Sequence, residues 1–154
     1  MINEQAQCCP CGSNQSFESC CGKFINYSQY PDTPEQLMRS RYSAYALKNE
    51  TYLLNSWHEF TRPDSLELKN DTTQWRKLKI IFSSENAVHF VAFFSDAIKN
   101  KERIFSLYEK SEFIKDKHWL YLEGKDLKTI ELSKNMRCPC QSGKKFKRCC
   151  ATEI

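Results

Sequence analysis

The sequence predicts an α+β domain, two helices followed by a four-stranded antiparallel sheet, with a small cysteine-bearing appendage at each end. Three observations carry this reading. Apolar residues recur at helical spacing early in the chain. From Trp75 onward they alternate at strand spacing. The nine cysteines fall in two groups, five between Cys8 and Cys21 and four between Cys138 and Cys150, and the long middle has none. A chain of 154 residues suits one compact domain with small appendages. With 13% aromatics, four glycines and five prolines, it has material for a core and lacks the composition of a disordered chain. The expected division is 1–24, 30–132 and 134–154.

The helical part begins at Pro34. Thr33 is the expected N-cap, Pro34 occupies the first helical position, and Gln36 completes a capping box. Met38, Tyr42, Tyr45 and Ala46 then share one face. Asn49 caps a second, short helix carrying Leu53, Leu54 and Trp57, and residues 58–70, with Pro63, read as loop. The first strand is Trp75 to Ser83. In the second, Val88, Phe90, Ala92 and Phe94 share one face, and His89, Val91 and Phe93 share the other. The third, Arg103 to Phe113, alternates Ile104, Ser106 and Tyr108 against Phe105, Leu107 and Glu109. Trp119 to Leu122 is the fourth, closed by Gly124. The tryptophans are expected in the core.

The end segments are a repeat. Cys9-Pro-Cys11-Gly-Ser-Asn-Gln-Ser-Phe-Glu-Ser-Cys20-Cys21 and Cys138-Pro-Cys140-Gln-Ser-Gly-Lys-Lys-Phe-Lys-Arg-Cys149-Cys150 agree at seven of thirteen positions without a gap. Each offers two thiolates across a tight bend and two more from adjacent cysteines. That arrangement suits four sulfurs converging on one tetrahedral ion, with Zn–S near about 2.3 Å. A Ser or Gly after the first pair leaves backbone N–H groups free to hydrogen-bond the anionic sulfurs. Phe17 and Phe146 are the large apolar residues available to roof each site. Lys144, Lys145, Lys147 and Arg148 would lower the thiol pKa values of the second. Disulfides are the competing reading, disfavoured in a reducing compartment and strained between adjacent cysteines. Iron, or an iron–sulfur cluster, is the other metal such a set accepts. Cys8 is left over, because Cys9 is in register with Cys138.

The second segment resembles the SEC-C motif, the zinc-binding knuckle named after the C-terminus of the export ATPase SecA. The resemblance implies zinc ligands at Cys138, Cys140, Cys149 and Cys150 and, through the repeat, at Cys9, Cys11, Cys20 and Cys21: two Zn²⁺ per chain. One knuckle at each end, with Met38-Arg-Ser-Arg-Tyr-Ser-Ala-Tyr45 between, is similar to the YchJ-like family. Its middle domain implies a fold like nuclear transport factor 2, a cystatin-like curved sheet cupping helices. The first knuckle has Asn14-Gln15-Ser16 where the motif usually has Gly-Lys-Lys, and the second has Gln141 where glycine is usual.

The formal charge is +4, but two four-thiolate sites each holding a dication contribute −2 apiece, which brings the working charge to about zero. Overall basicity therefore says little; its distribution says more. Lys134, Arg137, Lys144, Lys145, Lys147 and Arg148 form a basic run without an acid among them. Such a face suits an acidic protein partner or phosphate. The similar knuckle of SecA docks on the acidic export chaperone SecB, so the resemblance implies protein binding; the reading is an interaction or adaptor module linked to protein export or the ribosome. A small-molecule-binding or catalytic pocket in the middle domain is the first alternative, with Arg41, Tyr45, His58, Arg62, Glu109 and Tyr121 near a plausible mouth. Arg39 or Arg41 is expected to pair with Glu35 or Glu109. Nucleic-acid binding by the basic knuckle is the second, weakened by the lack of stacking aromatics beyond Phe146. No nucleotide loop, nucleophile elbow or catalytic-metal motif occurs, so no reaction is assigned. Met1 to Gln7 is polar, and the longest apolar stretch, Val88 to Phe94, is broken by His89 and too short for a bilayer. The expectation is a cytoplasmic protein without membrane insertion.

Overall fold

The computed structural model describes residues 7–98 and 101–154; residues 1–6 of the expected first appendage lie outside the described residues. A π-helical turn, Glu18–Gly22, runs into helix α1 (Lys23–Ile25), followed by α2 (Pro34–Ala46) and α3 (Glu50–Asn55). Four strands come next, β1 (Gln74–Ser83), β2 (Ala87–Ile98), β3 (Lys101–Lys115) and β4 (Trp119–Glu131). They form one antiparallel meander in sequence order.

Local chemistry explains the helix starts. Thr33 Oγ1 accepts from Gln36 N at 3.2 Å, and Asn49 Oδ1 accepts from Tyr52 N at 3.0 Å, each satisfying an orphan donor of the first turn. The capping box is displaced by one residue: Gln36 Oε1 accepts from Asp32 N at 2.8 Å, one position before the cap. Trp57 lies beyond the end of α3, where it bridges to Tyr121 on β4. The loop 58–70 carries one 3₁₀ turn, Leu68–Asn70, tied back to α3 by the Glu50 carboxylate, which accepts from the N–H groups of Leu66 and Leu68.

Gly124 does not end β4. The strand runs on to Glu131, with a register shift opposite Tyr108 and Lys110 on β3. A Cβ at Gly124 would stand 2.4 Å from Glu109 Oε1 and 2.9 Å from the Tyr121 hydroxyl, so glycine here admits a carboxylate lying across the strand.

The sheet is buried on both faces. On one face Leu78, Val88, Phe90, Ala92, Phe113 and Tyr121 pack with Leu37, Met38 and Tyr42 of α2. On the other, Val91 and Phe93 pack with Phe146 and two C-terminal cysteines. β2 thus turns apolar residues to two separate cores, which accounts for its continuous apolar run from Phe90 to Phe94. A third cluster, Ala44, Tyr52, Leu53, Leu68 and Phe24, joins α2, α3, the loop and α1. Trp57, Trp75 and Trp119 are half-buried against the first core.

Candidate metal centres

The structure brings each cysteine set together. The sulfurs of Cys9, Cys11, Cys20 and Cys21 all lie within 4.8 Å of one another, as do those of Cys138, Cys140, Cys149 and Cys150. Individual separations are 3.6 Å for Cys11–Cys20, 3.9 Å for Cys20–Cys21 and 3.5 Å for Cys140–Cys149. Four sulfurs at the corners of a tetrahedron about 2.3 Å from a central ion stand roughly 3.8 Å apart. A disulfide requires about 2.05 Å. All nine cysteines are free thiols, including exposed Cys8, so each cluster has the spacing of a ligand set and could hold a metal ion.

The repeat in sequence is a repeat in backbone. Cys9 N donates to Gln15 O at 2.8 Å, and Cys138 N donates to Lys144 O at the same distance. Phe17 N donates to Gln7 O, and Phe146 N to Met136 O. Ser13 Oγ lies 3.1 Å from Cys20 Sγ, and Ser142 Oγ lies 3.1 Å from Cys149 Sγ, each placed to donate to a thiolate. Two residues of each turn have positive φ. In the first knuckle they are Gly12 (76°) and Asn14 (60°); in the second, Gln141 (65°) and Gly143 (76°). The glycine has changed places, so the turn is kept and a different side chain bears the left-handed strain. Gln141 therefore leaves the turn tight.

Within each cluster the thiols titrate apart, as expected where several sulfurs share few protons. Hydrogen bonds from the Cys11 and then the Cys21 thiol hold Cys9 far below the ordinary thiol range, while contacts with Cys11 and then Cys9, and burial, push Cys21 up. Burial raises Cys138 and Cys150. Burial also opposes ionisation of Cys140, but the Ser142 hydroxyl and N–H and the neighbouring Cys138 and Cys149 sulfurs outweigh it and bring Cys140 down to about 6. The expected cause, the basic side chains, is not among these.

The two phenylalanines do more than roof the sites. Phe146 is buried and stacks on Phe93 of β2, with centroids 6.1 Å apart and planes 8° from parallel, so it docks the knuckle on the sheet. Phe17 packs against the first core.

Between α2 and the concave face of the sheet lies a cavity of about 220 Å³. Arg41, Tyr45, Glu109 and Tyr121 line it, as expected for a pocket; His58 and Arg62 do not. His58 N is spent on Tyr121 O at 2.8 Å, and its ring packs edge-on to Phe60. Exposed Arg62 reaches back to Leu54 O. Arg39, not Arg41, pairs with Glu35, at 2.9 Å, and also donates to Cys11 O. His89 is a strand residue whose Nδ1 lies 3.0 Å from the Tyr108 hydroxyl.

Comparison with known proteins agrees with this architecture. Residues 33–124 match the family described as YchJ, middle NTF2-like domain, and residues 135–152 match the SEC-C motif. Fold and cysteine clusters thus define an NTF2-like domain carrying a SEC-C knuckle. A UPF0225 protein of Photorhabdus laumondii is 37% identical over 156 residues, covering 92% of this chain and 97% of its own length. Another, of Sodalis glossinidius, is 37% identical over 154 residues, covering 92% and 96%. The chain belongs to the YchJ family. Two solved structures are similar. A SEC-C motif containing protein from Rhodopseudomonas palustris is 31% identical with TM-score 0.67, covering 77% of this chain and 98% of that one. Another, from Psychrobacter arcticus, is 26% identical with TM-score 0.58, covering 96% and 97%. No helix of the described residues is long and apolar enough to cross a membrane.

Proposed function

We propose that this protein holds two structural zinc ions and uses its C-terminal knuckle as a docking module for an acidic protein surface. Four thiolates close the coordination shell, which favours a structural ion over a catalytic one. Zinc suits the site because it imposes no redox chemistry and accepts a tetrahedron set by the chain.

One observation carries the docking role. Lys144, Lys145, Lys147 and Arg148 are all exposed on the knuckle, and among the described residues none of them pairs with a carboxylate. Elsewhere cations are neutralised, as in Lys48–Asp71, Lys77–Glu153 and Arg103–Glu131. Unpaired charge on a rigid, metal-clamped loop loses little side-chain and backbone freedom on docking and steers an acidic partner by its field. The SecA precedent makes an acidic export chaperone the kind of partner to expect.

The test has two parts. Metal analysis of protein purified without chelator should give two zinc ions per chain, and iron absorbance bands would overturn the zinc assignment. Anisotropy titration with a fluorescein-labelled Asp/Glu-rich peptide should show binding that Lys144→Glu with Lys145→Glu weakens at least tenfold, at unchanged metal content. Preference for a single-stranded oligonucleotide, with affinity falling steeply in salt, would replace the protein partner by nucleic acid.

A further inference from the structure

The central cavity is lined by two opposite charges, Arg41 and Glu109, that form no direct ion pair with each other. Arg41 is 2% exposed, yet no carboxylate lies within ion-pair distance of it among the described residues. Its Nη1 donates to Leu53 O at 2.7 Å and Ser56 Oγ at 2.8 Å. Its guanidinium lies over the rings of Tyr121 (4.3 Å) and Trp57 (4.9 Å), which are themselves packed edge to face. These contacts fix the group through one of its nitrogens. Nε and Nη2 donate to no carbonyl or carboxylate among the described residues. A buried guanidinium with two hydrogen bonds and no carboxylate in ion-pair contact keeps donor capacity that an anionic ligand in the cavity would use.

Glu109 stands on the same cavity wall. Its Oε1 accepts from the Ser111 hydroxyl at 2.7 Å and the Tyr121 hydroxyl at 3.0 Å, and Gly124 gives it room. Oε2 has no donor among the described residues. The remaining wall is apolar and aromatic: Met38, Phe90, Ala92 and Leu107, with Tyr42, Tyr45 and Trp75. The Trp75 indole N–H is also enclosed without an acceptor.

We propose that this cavity binds a small aromatic carboxylate that also carries a hydroxyl or amino donor. The carboxylate would meet the Arg41 guanidinium, the ring would lie against the apolar wall, and the donor would reach Glu109 Oε2. Size agrees with the chemistry. An apolar cavity of about 150 Å³ holds benzene, so about 220 Å³ admits one ring with two small substituents. The proposal is independent of the docking role of the C-terminal knuckle, whose basic residues do not line the cavity.

The test uses the metal-loaded full chain and three probes, benzoate, 4-hydroxybenzoate and 4-hydroxybenzamide, followed by titration calorimetry and by amide chemical shifts. We expect 4-hydroxybenzoate to bind one to one, shifting resonances of β2, β3 and α2. The amide should bind at least tenfold more weakly, and benzoate severalfold more weakly. Glu109→Gln should narrow the gap between 4-hydroxybenzoate and benzoate. Ala92→Leu, which fills the cavity and spares both charges, should abolish binding in a protein that still carries its metal. Because the amide probe alters no residue, its comparison tests the Arg41 contact without a substitution at that buried position. Three outcomes would overturn the proposal: no binding at millimolar concentration, equal binding of acid and amide, or shifts confined to Lys144, Lys145, Lys147 and Arg148.

Discussion

The two knuckles have the same thirteen-residue frame, the same serine beside the same sulfur and the same pair of left-handed residues, yet they hold different things together. Three of the four N-terminal cysteines, Cys9, Cys11 and Cys21, are buried in the main core beside Leu37, Met38, Tyr42 and Leu78. Cys9 Sγ lies 3.6 Å from Ser43 Oγ, and Arg39 donates to Cys11 O, so α2 is fastened to the cluster directly. In the C-terminal knuckle Cys140 and Cys149 are half-exposed, and the unit sits on the outer face of the sheet through Phe146 on Phe93 and Lys77 with Glu153. The difference does not come from the motif. It comes from the adjoining chain, which continues after Cys21 as a helix into the core but after Cys150 adds one 3₁₀ turn, Cys150–Thr152. One local device thus serves as an integral part of a core in the first case and as a lid on a sheet in the second.

Breaking each cluster in turn should show the asymmetry at its largest. Cys11→Ser removes a fully buried ligand and leaves uncompensated polar groups in the main core. We expect loss of one metal and a fall in stability of about 3–5 kcal/mol or outright unfolding, read from near-UV circular dichroism during heating. A melting curve like that of the wild type would refute the integral role. Cys149→Ser should also cost one metal but leave α2 and the sheet folded. The cost of uncovering Val91 and Phe93 in part is about 2 kcal/mol, and the signature is faster amide exchange confined to β2 and its outer-face neighbours. Global exchange instead would make the second knuckle as integral as the first.

The same contrast should appear in kinetics. With two half-exposed thiols against one, the C-terminal cluster should release metal to a chelator first, giving two phases in an indicator assay. Cys149→Ser should remove the fast phase and Cys11→Ser the slow one. A smaller effect is expected at Gly124→Ala, where the added methyl displaces Glu109 from Tyr121 and Ser111. About 1–2 kcal/mol of stability should be lost with metal content unchanged, and full stability would show that the carboxylate moves at no cost. Smallest of all, Gln141→Gly should stabilise the C-terminal knuckle by about 0.5–1 kcal/mol by relieving positive φ. Gly12→Ala should cost a similar amount in the N-terminal one, both measured by denaturant titration.

Much of this molecule is legible where the deciding contacts are local. Thr33 and Asn49 announce helices because a side-chain oxygen and the N–H it caps are three residues apart. The start of the sheet is readable from alternation in β1, β2 and β3. The length of β4 is not, because residues past Gly124 pair with β3 on one side only and, among those described, all but Ile130 are exposed, so they carry no alternating apolar pattern. Trp57 has the spacing of a helical residue, and only the presence of Tyr121 across the fold turns it into a bridge to the sheet. His58 and Arg62 have the chemistry of pocket residues but belong to a loop that directs them away from the cavity, while Arg41 and Glu109 meet it from elements distant in sequence.

By itself, the sequence determined the two cysteine clusters, since each closes within thirteen residues and the ligand set is a property of spacing and of turns the chain must make. It determined too that β2 has two apolar faces, because side chains of successive residues point to opposite sides of a strand. Which cover each face receives, the N-terminal knuckle and α2 on one and the C-terminal knuckle on the other, was decided only in three dimensions. Alternation records that a face is buried and carries no information about what buries it. The cavity is tertiary for the same reason: its volume is the space left when α2 crosses the sheet, and its two opposite charges meet only once Arg41 and Glu109 share a wall.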